Sequence, residues 1–209
     1  MNSYKKIDLK SWSRASLYQF YRQFEAPCYN ISVKLDGSKI FEYAKKHNYS
    51  FFLIVLYAIL RATNEVSQIK QRVIDGEAIE FNNVAAMTPI MTDQEIFCQA
   101  WCDYFASFEE FKANAEPIIA DARNNISNVP QNYSENFICA SCSPWLHFES
   151  ISQAELNFQD SIPILAWGKM KDNLIPISVK FNHCFVDGLH AARFFDSIEK
   201  FFANPELLV

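Results

Sequence analysis

Hydrophobic side chains recur with two spacings, every second residue in some stretches and every third or fourth residue in others. Alternation is typical of strands with one buried face, and the longer spacing is typical of amphipathic helices. The strands predicted in this way span residues 28–35, 71–74, 77–81, 84–91, 137–148, 162–170 and 173–182. The predicted helices span residues 12–24, 38–48, 50–65, 104–124 and 189–203.

Turn residues indicate how these elements connect. Asp75-Gly76 predicts a hairpin between its flanking strands, and Lys171-Asp172 predicts a second one. Strands and helices do not alternate regularly, which argues against a doubly wound sheet. The sequence therefore predicts an α/β fold, a two-layer sandwich in which a large mixed β-sheet carries helices packed on one face. We expect residues 1–209 to form a single domain.

Composition narrows the class of ligand. The 209 residues carry a net charge of −5, which argues against a nucleic-acid surface, because such a surface needs clustered Lys and Arg. The 4 glycines lie too far apart for a GxGxxG or P-loop nucleotide motif. The longest apolar run, residues 51–60, is about half a membrane span, and no signal-peptide pattern opens the chain. We expect a soluble, cytoplasmic protein that binds neither nucleic acid nor membrane.

The 6 cysteines raise the question of a disulfide or a metal site. A reducing cytoplasm argues against disulfides. Cys98 and Cys102, together with the CxxC pair Cys139 and Cys142, would offer thiolates to a zinc ion. Residues three apart on a strand face opposite sides, however, which separates Cys139 from Cys142. We therefore favour buried small side chains and expect no metal.

The densest chemical signal is the segment 181–188, FNHCFVDG. A predicted apolar strand delivers His183 at its carboxyl end, Asp187 follows four residues later, and Gly188 allows a turn into the last helix. An imidazole at a rigid strand end beside an anion suits acid–base chemistry. Taken alone, the pattern fits at least as well a core histidine and an aspartate that caps the helix.

Three further groups have both a functional and a structural interpretation. Ser141 stands at a strand end before Pro144-Trp145, either pointing its hydroxyl into a cavity or belonging to a turn with a buried Trp. Arg14 lies in the first predicted helix, as a site residue or as a solvated surface charge. An aromatic-rich stretch either lines an apolar ligand pocket or belongs to the core. Its members are Phe20, Tyr21, Phe24 and Cys28.

These groups stand in a recognisable order along the chain. The motifs are Trp12-Ser13-Arg14, Pro27-Cys28-Tyr29-Asn30, Ser141-Cys142-Ser143-Pro144-Trp145, Gly168-Lys169 and the HxxxDG that begins at His183. With them, and over essentially its whole length, the sequence resembles the chloramphenicol acetyltransferase family. HxxxDG also occurs in the acyltransferase cores of 2-oxo-acid dehydrogenase complexes and in peptide-synthetase condensation domains. The former normally carry lipoyl and linker segments and the latter need two such lobes, which a lone chain of 209 residues does not offer.

The resemblance implies an O-acetyltransferase that transfers an acetyl group from acetyl-CoA to the primary hydroxyl of chloramphenicol, and so inactivates the antibiotic. It implies a homotrimer with active sites between subunits, His183 of one subunit facing the next. His183 would be the general base in a direct transfer without an acyl-enzyme. Ser141 would donate a hydrogen bond to the tetrahedral oxyanion, and Arg14 and Asp187 would form a buried ion pair that braces the histidine loop.

The resemblance also implies binding roles. Lys169 would help bind acetyl-CoA as a co-substrate, and no permanently bound cofactor is expected. The acceptor pocket would be lined by Phe20, Tyr21, Phe24 and Cys28.

The chain departs from the family pattern at three places. Asn182 stands where the family usually has the first of two histidines, Ala166 stands where many members have a threonine, and the hairpin at Lys171-Asp172 is shorter. Two alternatives therefore stay open. One is an acyltransferase acting on another small hydroxyl compound, and the other is a non-catalytic relative that binds CoA or another ligand.

Overall fold

The computed structural model describes residues 3–154 and 161–209, and within them the strands form two sheets. The six-stranded sheet has the order β2 (Cys28–Asp36), β9 (Leu174–Asn182), β8 (Ile164–Gly168), β7 (Phe137–Ser143), β5 (Ala85–Met91) and β6 (Phe97–Cys102). The three-stranded sheet has the order β1 (Tyr4–Lys6), β4 (Glu77–Phe81) and β3 (Gln71–Ile74). β7 runs parallel to β5 and β8, and the other neighbours run antiparallel, so the large sheet is mixed, as predicted.

The helices follow the predicted apolar spacing. They are α1 (Ala15–Tyr21), α2 (Ser38–His47), α3 (Phe51–Glu65), α4 (Phe108–Arg123) and α5 (Gly188–Ala203), with short 3-10 turns at Ser67–Lys70 and Pro205–Leu208. α3 begins where predicted, because the Ser50 hydroxyl accepts a hydrogen bond from the N–H of Leu53 at 3.4 Å. The apolar residues of α3 are almost all buried, so this helix lies at the centre of the core.

Alternation along β9 shows which face of the large sheet the helices cover. Ile177, Val179 and Phe181 pack in the main core together with side chains of α3 and α5. Ser178 and Lys180 point to the opposite face, because successive strand residues alternate. The predicted two-layer sandwich with helices on one face of a mixed sheet is confirmed, and the face without helices remains for the site described below.

Several boundaries differ from the prediction. β6 was not predicted, and its Cys98 and Cys102 are buried strand residues. α1 spans 15–21 instead of 12–24, and α4 begins only at Phe108, where Ser107 caps it. β7 ends at Ser143, because Pro144 removes a backbone donor.

All six cysteines lie within the described residues, and none of them forms a disulfide. Cys139 packs beside a small cluster around Trp101, whereas Cys142 packs against the main core, so the CxxC pair is divided between the two faces. In residues 3–154 and 161–209, no three His, Cys, Asp or Glu side chains are grouped as metal ligands would be. Among the same residues, no helix combines the length and the apolar character needed to cross a bilayer.

Candidate active site

His183 stands on a tight turn directly after β9. The Asn182 carbonyl accepts hydrogen bonds from the N–H groups of Phe185 and Val186, each at 3.1 Å. The Asn182 side-chain oxygen accepts another from the N–H of Cys184 at 2.8 Å. Asn182, one of the departures noted above, therefore stabilises the turn that carries His183.

Arg14 ties the start of α1 to this turn. Its side chain is only 8% exposed, so its interpretation as a solvated surface charge is wrong. The guanidinium donates to the carbonyl of His183 at 2.8 Å and to the carbonyl of Cys184 at 2.9 Å. It also donates to both carboxylate oxygens of Asp187, with 2.6 Å to Oδ1. Residues 173 positions apart in sequence thus form a two-pronged ion pair.

The Asp187 carboxylate is engaged by Arg14 rather than by His183. These hydrogen bonds with Arg14 are the main reason that the pKa of Asp187 lies below its usual value, against the opposing effect of burial. His183 Nδ1 lies 3.2 Å from Asp187 Oδ1, yet the alignment is not that of a hydrogen bond. The arrangement fits an anion that braces the loop better than one that relays a proton.

Two tyrosine rings hold the imidazole of His183. Tyr21 stacks on it with ring centroids 4.1 Å apart and planes 8° apart, and its hydroxyl lies 3.3 Å from Nε2. The ring of Tyr29 lies 4.7 Å away on a tilted plane, and its hydroxyl donates to the carbonyl of Val186 at 3.2 Å. Burial raises the pKa of Tyr29 to about 12, so this phenol stays protonated. Sequence analysis gave Tyr29 no role; its only signal was its place in the motif beside Cys28.

The other predicted acceptor residues lie next to Tyr21 or next to the turn that carries His183. The rings of Phe20 and Phe24 contact each other at 5.0 Å and contact Tyr21 at 5.2 and 5.3 Å. Phe20 is 52% exposed and Phe24 is 41% exposed, so the interpretation as core is wrong for these two rings. Tyr21, in contrast, packs against the main core. Cys28 begins β2 opposite Asn182. We call Arg14, Phe20, Tyr21, Phe24, Cys28, Tyr29, His183 and Asp187 the histidine half-site.

Ser141 does not lie in the histidine half-site of its own chain. Register places Ser141 beside Ala166, and Ala166 beside Ser178, on the sheet face without helices. His183 lies five residues beyond Ser178 and two strands away from β7. At about 3.3 Å per residue and about 4.8 Å per strand, Ser141 and His183 are roughly 20 Å apart.

Lys169 lies near Ser141, at the end of the strands opposite to the end that carries His183. It follows β8, which runs antiparallel to β9, and its N–H donates to the carbonyl of Leu146 at 2.7 Å. Gly168 permits this crossing, because a Cβ there would collide with the same carbonyl. Trp145 is 64% exposed, so the interpretation as a turn with a buried Trp is wrong. We call Ser141, Trp145, Ala166 and Lys169 the serine half-site.

One cavity lies beside the serine half-site, and a larger one lies away from both half-sites. The first, of about 260 Å³, lies on the helix-covered face and is lined by Phe52, Cys142 and Trp145. The larger one, of about 650 Å³, lies between the small sheet and residues 128–136 and contains none of the predicted site residues. One chain therefore presents the histidine and serine half-sites on separate surfaces.

Comparison with protein families identifies the family of this chain. The family model described as chloramphenicol acetyltransferase matches residues 1–199. The chain belongs to the chloramphenicol acetyltransferase family. Its resemblance to that family, first inferred from the order of the motifs, is confirmed.

Individual relatives agree with this assignment. The chain is 27% identical over 206 residues to chloramphenicol acetyltransferase 3 of Escherichia coli, covering 95% of this chain and 96% of the relative. It is 30% identical over 210 residues to a chloramphenicol acetyltransferase of Clostridioides difficile, covering 94% and 95%. As a member of this family of acyltransferases, the chain is an enzyme by homology.

Solved structures agree as well. A chloramphenicol acetyltransferase superposes with a TM-score of 0.85 at 26% identity, over 96% of this chain and 100% of that one. A probable dihydrolipoamide acetyltransferase of Listeria monocytogenes superposes with a TM-score of 0.66 at 16% identity, over 95% and 93%. This second likeness shows the fold alone, which the chloramphenicol acetyltransferase family shares with other acyltransferases.

Proposed function

We propose that this protein transfers an acetyl group from acetyl-CoA to the primary hydroxyl of chloramphenicol, with His183 as the general base. The observation that carries the proposal is the histidine half-site, in which Arg14 and Asp187 fix the loop while Nε2 faces an exposed aromatic surface. The names of the relatives supply the substrates. On this proposal, residues 1–209 act as one acetyltransferase domain.

The direction in which Nε2 points suggests how the base works. Its neighbour is the Tyr21 hydroxyl at 3.3 Å, and an acceptor hydroxyl would take up a similar position. Nε2 then removes the proton of that hydroxyl while its oxygen attacks the thioester carbonyl of acetyl-CoA. When the tetrahedral intermediate collapses, the C–S bond breaks and the CoA sulfur takes the proton from Nε2. Acetylated acceptor and free CoA leave, and His183 is neutral again.

The neighbouring thiol supports direct transfer rather than an acyl-enzyme. Cys184 follows His183 in sequence, but its side chain is fully buried. Burial raises the pKa of the Cys184 thiol to about 11, so the nucleophilic thiolate is scarce at neutral pH. Cys184 is therefore poorly suited to carry the acetyl group, and the acceptor oxygen itself is left as the nucleophile.

The distance between the half-sites supports a shared site. Ser141 lies roughly 20 Å from His183 of its own chain, judged from strand spacing, yet an oxyanion donor must lie within about 3 Å of the reacting oxygen. We therefore propose a homotrimer in which His183 of one subunit faces Ser141 of the next. A closed ring with three identical interfaces is a common way to build such sites.

The binding roles divide between the half-sites in the same way. Phe20, Tyr21, Phe24 and Cys28 would contact the aromatic acceptor next to the base. Lys169 would contact acetyl-CoA on the side of Ser141. Apolar surface with a few placed polar groups is typical of such ligand sites. Ala166, directly across from Ser141, brings no hydroxyl to the reacting centre.

The test combines purified protein, acetyl-CoA and chloramphenicol. Mass spectrometry should detect the monoacetylated drug, and thiol release should match it in amount. The His183→Ala variant is the matched control and should give no product above background. Acetylation of other small primary alcohols but not of chloramphenicol would contradict the proposed acceptor and leave an acetyltransferase with a different one. Acetyl-CoA binding without transfer to any acceptor would contradict the enzymatic proposal and leave a ligand-binding relative.

A further inference from the structure

A second histidine supports the loop that carries His183. His190 is the third residue of α5, and its Nδ1 accepts a hydrogen bond from the backbone N–H of Asp187 at 2.9 Å. The first N–H groups of a helix lack partners within the helix, and a side chain at this position can reach back to the residue that precedes the helix. The same Asp187 carries the carboxylate that Arg14 holds. His190 thus fixes the main chain of the residue whose side chain braces the loop.

This hydrogen bond defines the protonation state of His190. Nδ1 accepts the bond, so it carries no proton, and the proton of the neutral ring sits on Nε2. Protonation of Nδ1 would place two donors against each other at 2.9 Å, and the N–H of Asp187 would lose its partner. Glu or Gln is the usual residue here, and a Glu would bring a second carboxylate against Asp187. Imidazole supplies an acceptor without that charge.

The groups around His190 favour the neutral ring. Asp187 Oδ2 lies 4.0 Å from Nδ1 and favours protonation. Arg14, which faces it from the start of α1, and Arg193, on the same helix, oppose protonation. Burial opposes it most strongly, so the pKa of His190 lies below its ordinary value. At neutral pH the acceptor nitrogen is therefore available.

We propose that His190 is a positioning residue for His183, and that its protonation loosens the catalytic loop at acidic pH. The proposal rests on the proposed function only for its effect on turnover. Its structural part, a neutral His190 with Nδ1 bonded to the main chain of Asp187, stands on geometry alone. At acidic pH, His190 would lose its hydrogen bond to the Asp187 N–H. The Asp187 carboxylate and the His183 imidazole would then no longer be held in a fixed relative position.

Two variants of His190 separate a lost acceptor from a lost side chain. His190→Leu fills the space but accepts no hydrogen bond, and we expect kcat to fall roughly ten- to hundredfold with little change in either KM, since displacement of catalytic groups costs about this much. His190→Gln restores an uncharged acceptor of the usual capping type and should recover most of kcat. A Gln variant as impaired as the Leu variant would overturn the proposal.

The pH profile tests the protonation step. Wild-type melting temperature should decline as pH falls below about 6.5, because the unfolded chain binds a proton at His190 before the folded chain does. The Gln variant should lack that part of the decline, and His47→Gln, at an exposed histidine, should retain it. Identical pH profiles for the wild type and His190→Gln would contradict the sensing role.

Nitrogen NMR of the wild type gives a readout independent of activity. His190 should show the tautomer with a proton on Nε2 and should titrate below an ordinary histidine. A proton on Nδ1 at neutral pH would overturn the proposal even if the enzyme is active. An inactive enzyme with the expected tautomer would instead contradict the proposed function and uphold the structural part.

Discussion

His183 is held by two tyrosine rings and by a hydrogen bond to its carbonyl. Tyr21 and Tyr29 flank its ring, and Arg14 binds its carbonyl, so the imidazole has little freedom to rotate. The entropic cost of ordering this side chain is therefore incurred during folding rather than in each catalytic cycle. On the proposed function, a base positioned in this way would act on an acceptor hydroxyl that reaches Nε2.

The first prediction concerns the base itself. His183→Ala should lower kcat by at least about 10²-fold, because a positioned base contributes typically 10²–10⁴-fold. Melting temperature and oligomeric state should change little, since the ring is about one-third exposed. His47→Ala, at an exposed histidine on α2, is the control and should behave as the wild type. A variant that keeps more than about a tenth of wild-type kcat would refute the assignment.

The second prediction concerns the oxyanion. Ser141→Ala should reduce kcat about 10²–10³-fold, the usual effect of removing one oxyanion donor, with little change in KM. Ser143→Ala, two residues further along the same face of β7, is the matched control and should have a much smaller effect. Steady-state kinetics with both substrates measure the difference. A change confined to KM would make Ser141 a residue for ground-state binding.

At the level of single residues, the motifs predict candidate site residues but not the residues that support them. His183, Asp187, Ser141 and Arg14 stand in motifs whose order is readable. Tyr29 lies in one of these motifs and His190 in none, but the support that either gives to His183 is not readable from sequence. That support depends on contacts made when β2 and α5 pack against the loop.

At the level of elements, the contact between the start of α1 and the turn before α5 determines the geometry of the histidine half-site. Arg14 spans it with hydrogen bonds to three residues, Asp187 among them. Because Arg14 is buried, removing its partner leaves a charge without compensation. The position of α1, and with it the aromatic acceptor surface, therefore depends on this ion pair.

The third prediction follows from that contact. Asp187→Asn should lower melting temperature by roughly 3–12 °C, the effect of losing one hydrogen bond to a charged group in a chain of this size, and should lower kcat in parallel. Glu77→Gln breaks the exposed pair with Lys6 and is the matched control, with a much smaller expected shift. Lost activity at unchanged melting temperature and unchanged His183 geometry would contradict the bracing role.

The pH dependence of the same pair has a definite sign. The pKa of Asp187 is lowered in the folded state, so its contribution is fully present above the ordinary value for aspartate. That contribution is lost as pH falls through the lower folded value, which means below about pH 4. Acid titration of thermal stability should show a steeper loss for the wild type than for Asp187→Asn.

Sequence patterns predicted most elements because local signals and burial agree in them. α3 has both a serine cap and a long apolar run, and the Asp75-Gly76 turn has the positive φ angles, 52° and 80°, that a tight hairpin requires. β6 was missed because Phe97–Cys102 is apolar except at Gln99, and therefore lacks the alternation that is typical of a strand with one buried face. α1 begins later than the apolar spacing predicts, because residues 12–14 form a turn from which Arg14 reaches the histidine loop.

At the scale of the whole molecule, the large sheet holds the histidine half-site and the serine half-site on two separate surfaces. His183 follows the end of β9, and Ser141 lies further along the sheet on β7, so no rearrangement of side chains brings them together. The separation follows from strand register, which sequence analysis could not derive, because register depends on pairing between distant strands. A second copy of the chain is what could complete the site.

Mixed oligomers test this central claim most directly. His183→Ala and Ser141→Ala chains with different affinity tags are co-expressed, and oligomers that carry both tags are purified. Each variant alone should be nearly inactive. A mixed trimer should contain one site with both His183 and Ser141 intact, and should therefore show about one third of wild-type activity per trimer. Mixed oligomers without recovered activity would contradict a site shared between subunits. So would wild-type protein that light scattering shows to be monomeric and that still transfers acetyl groups.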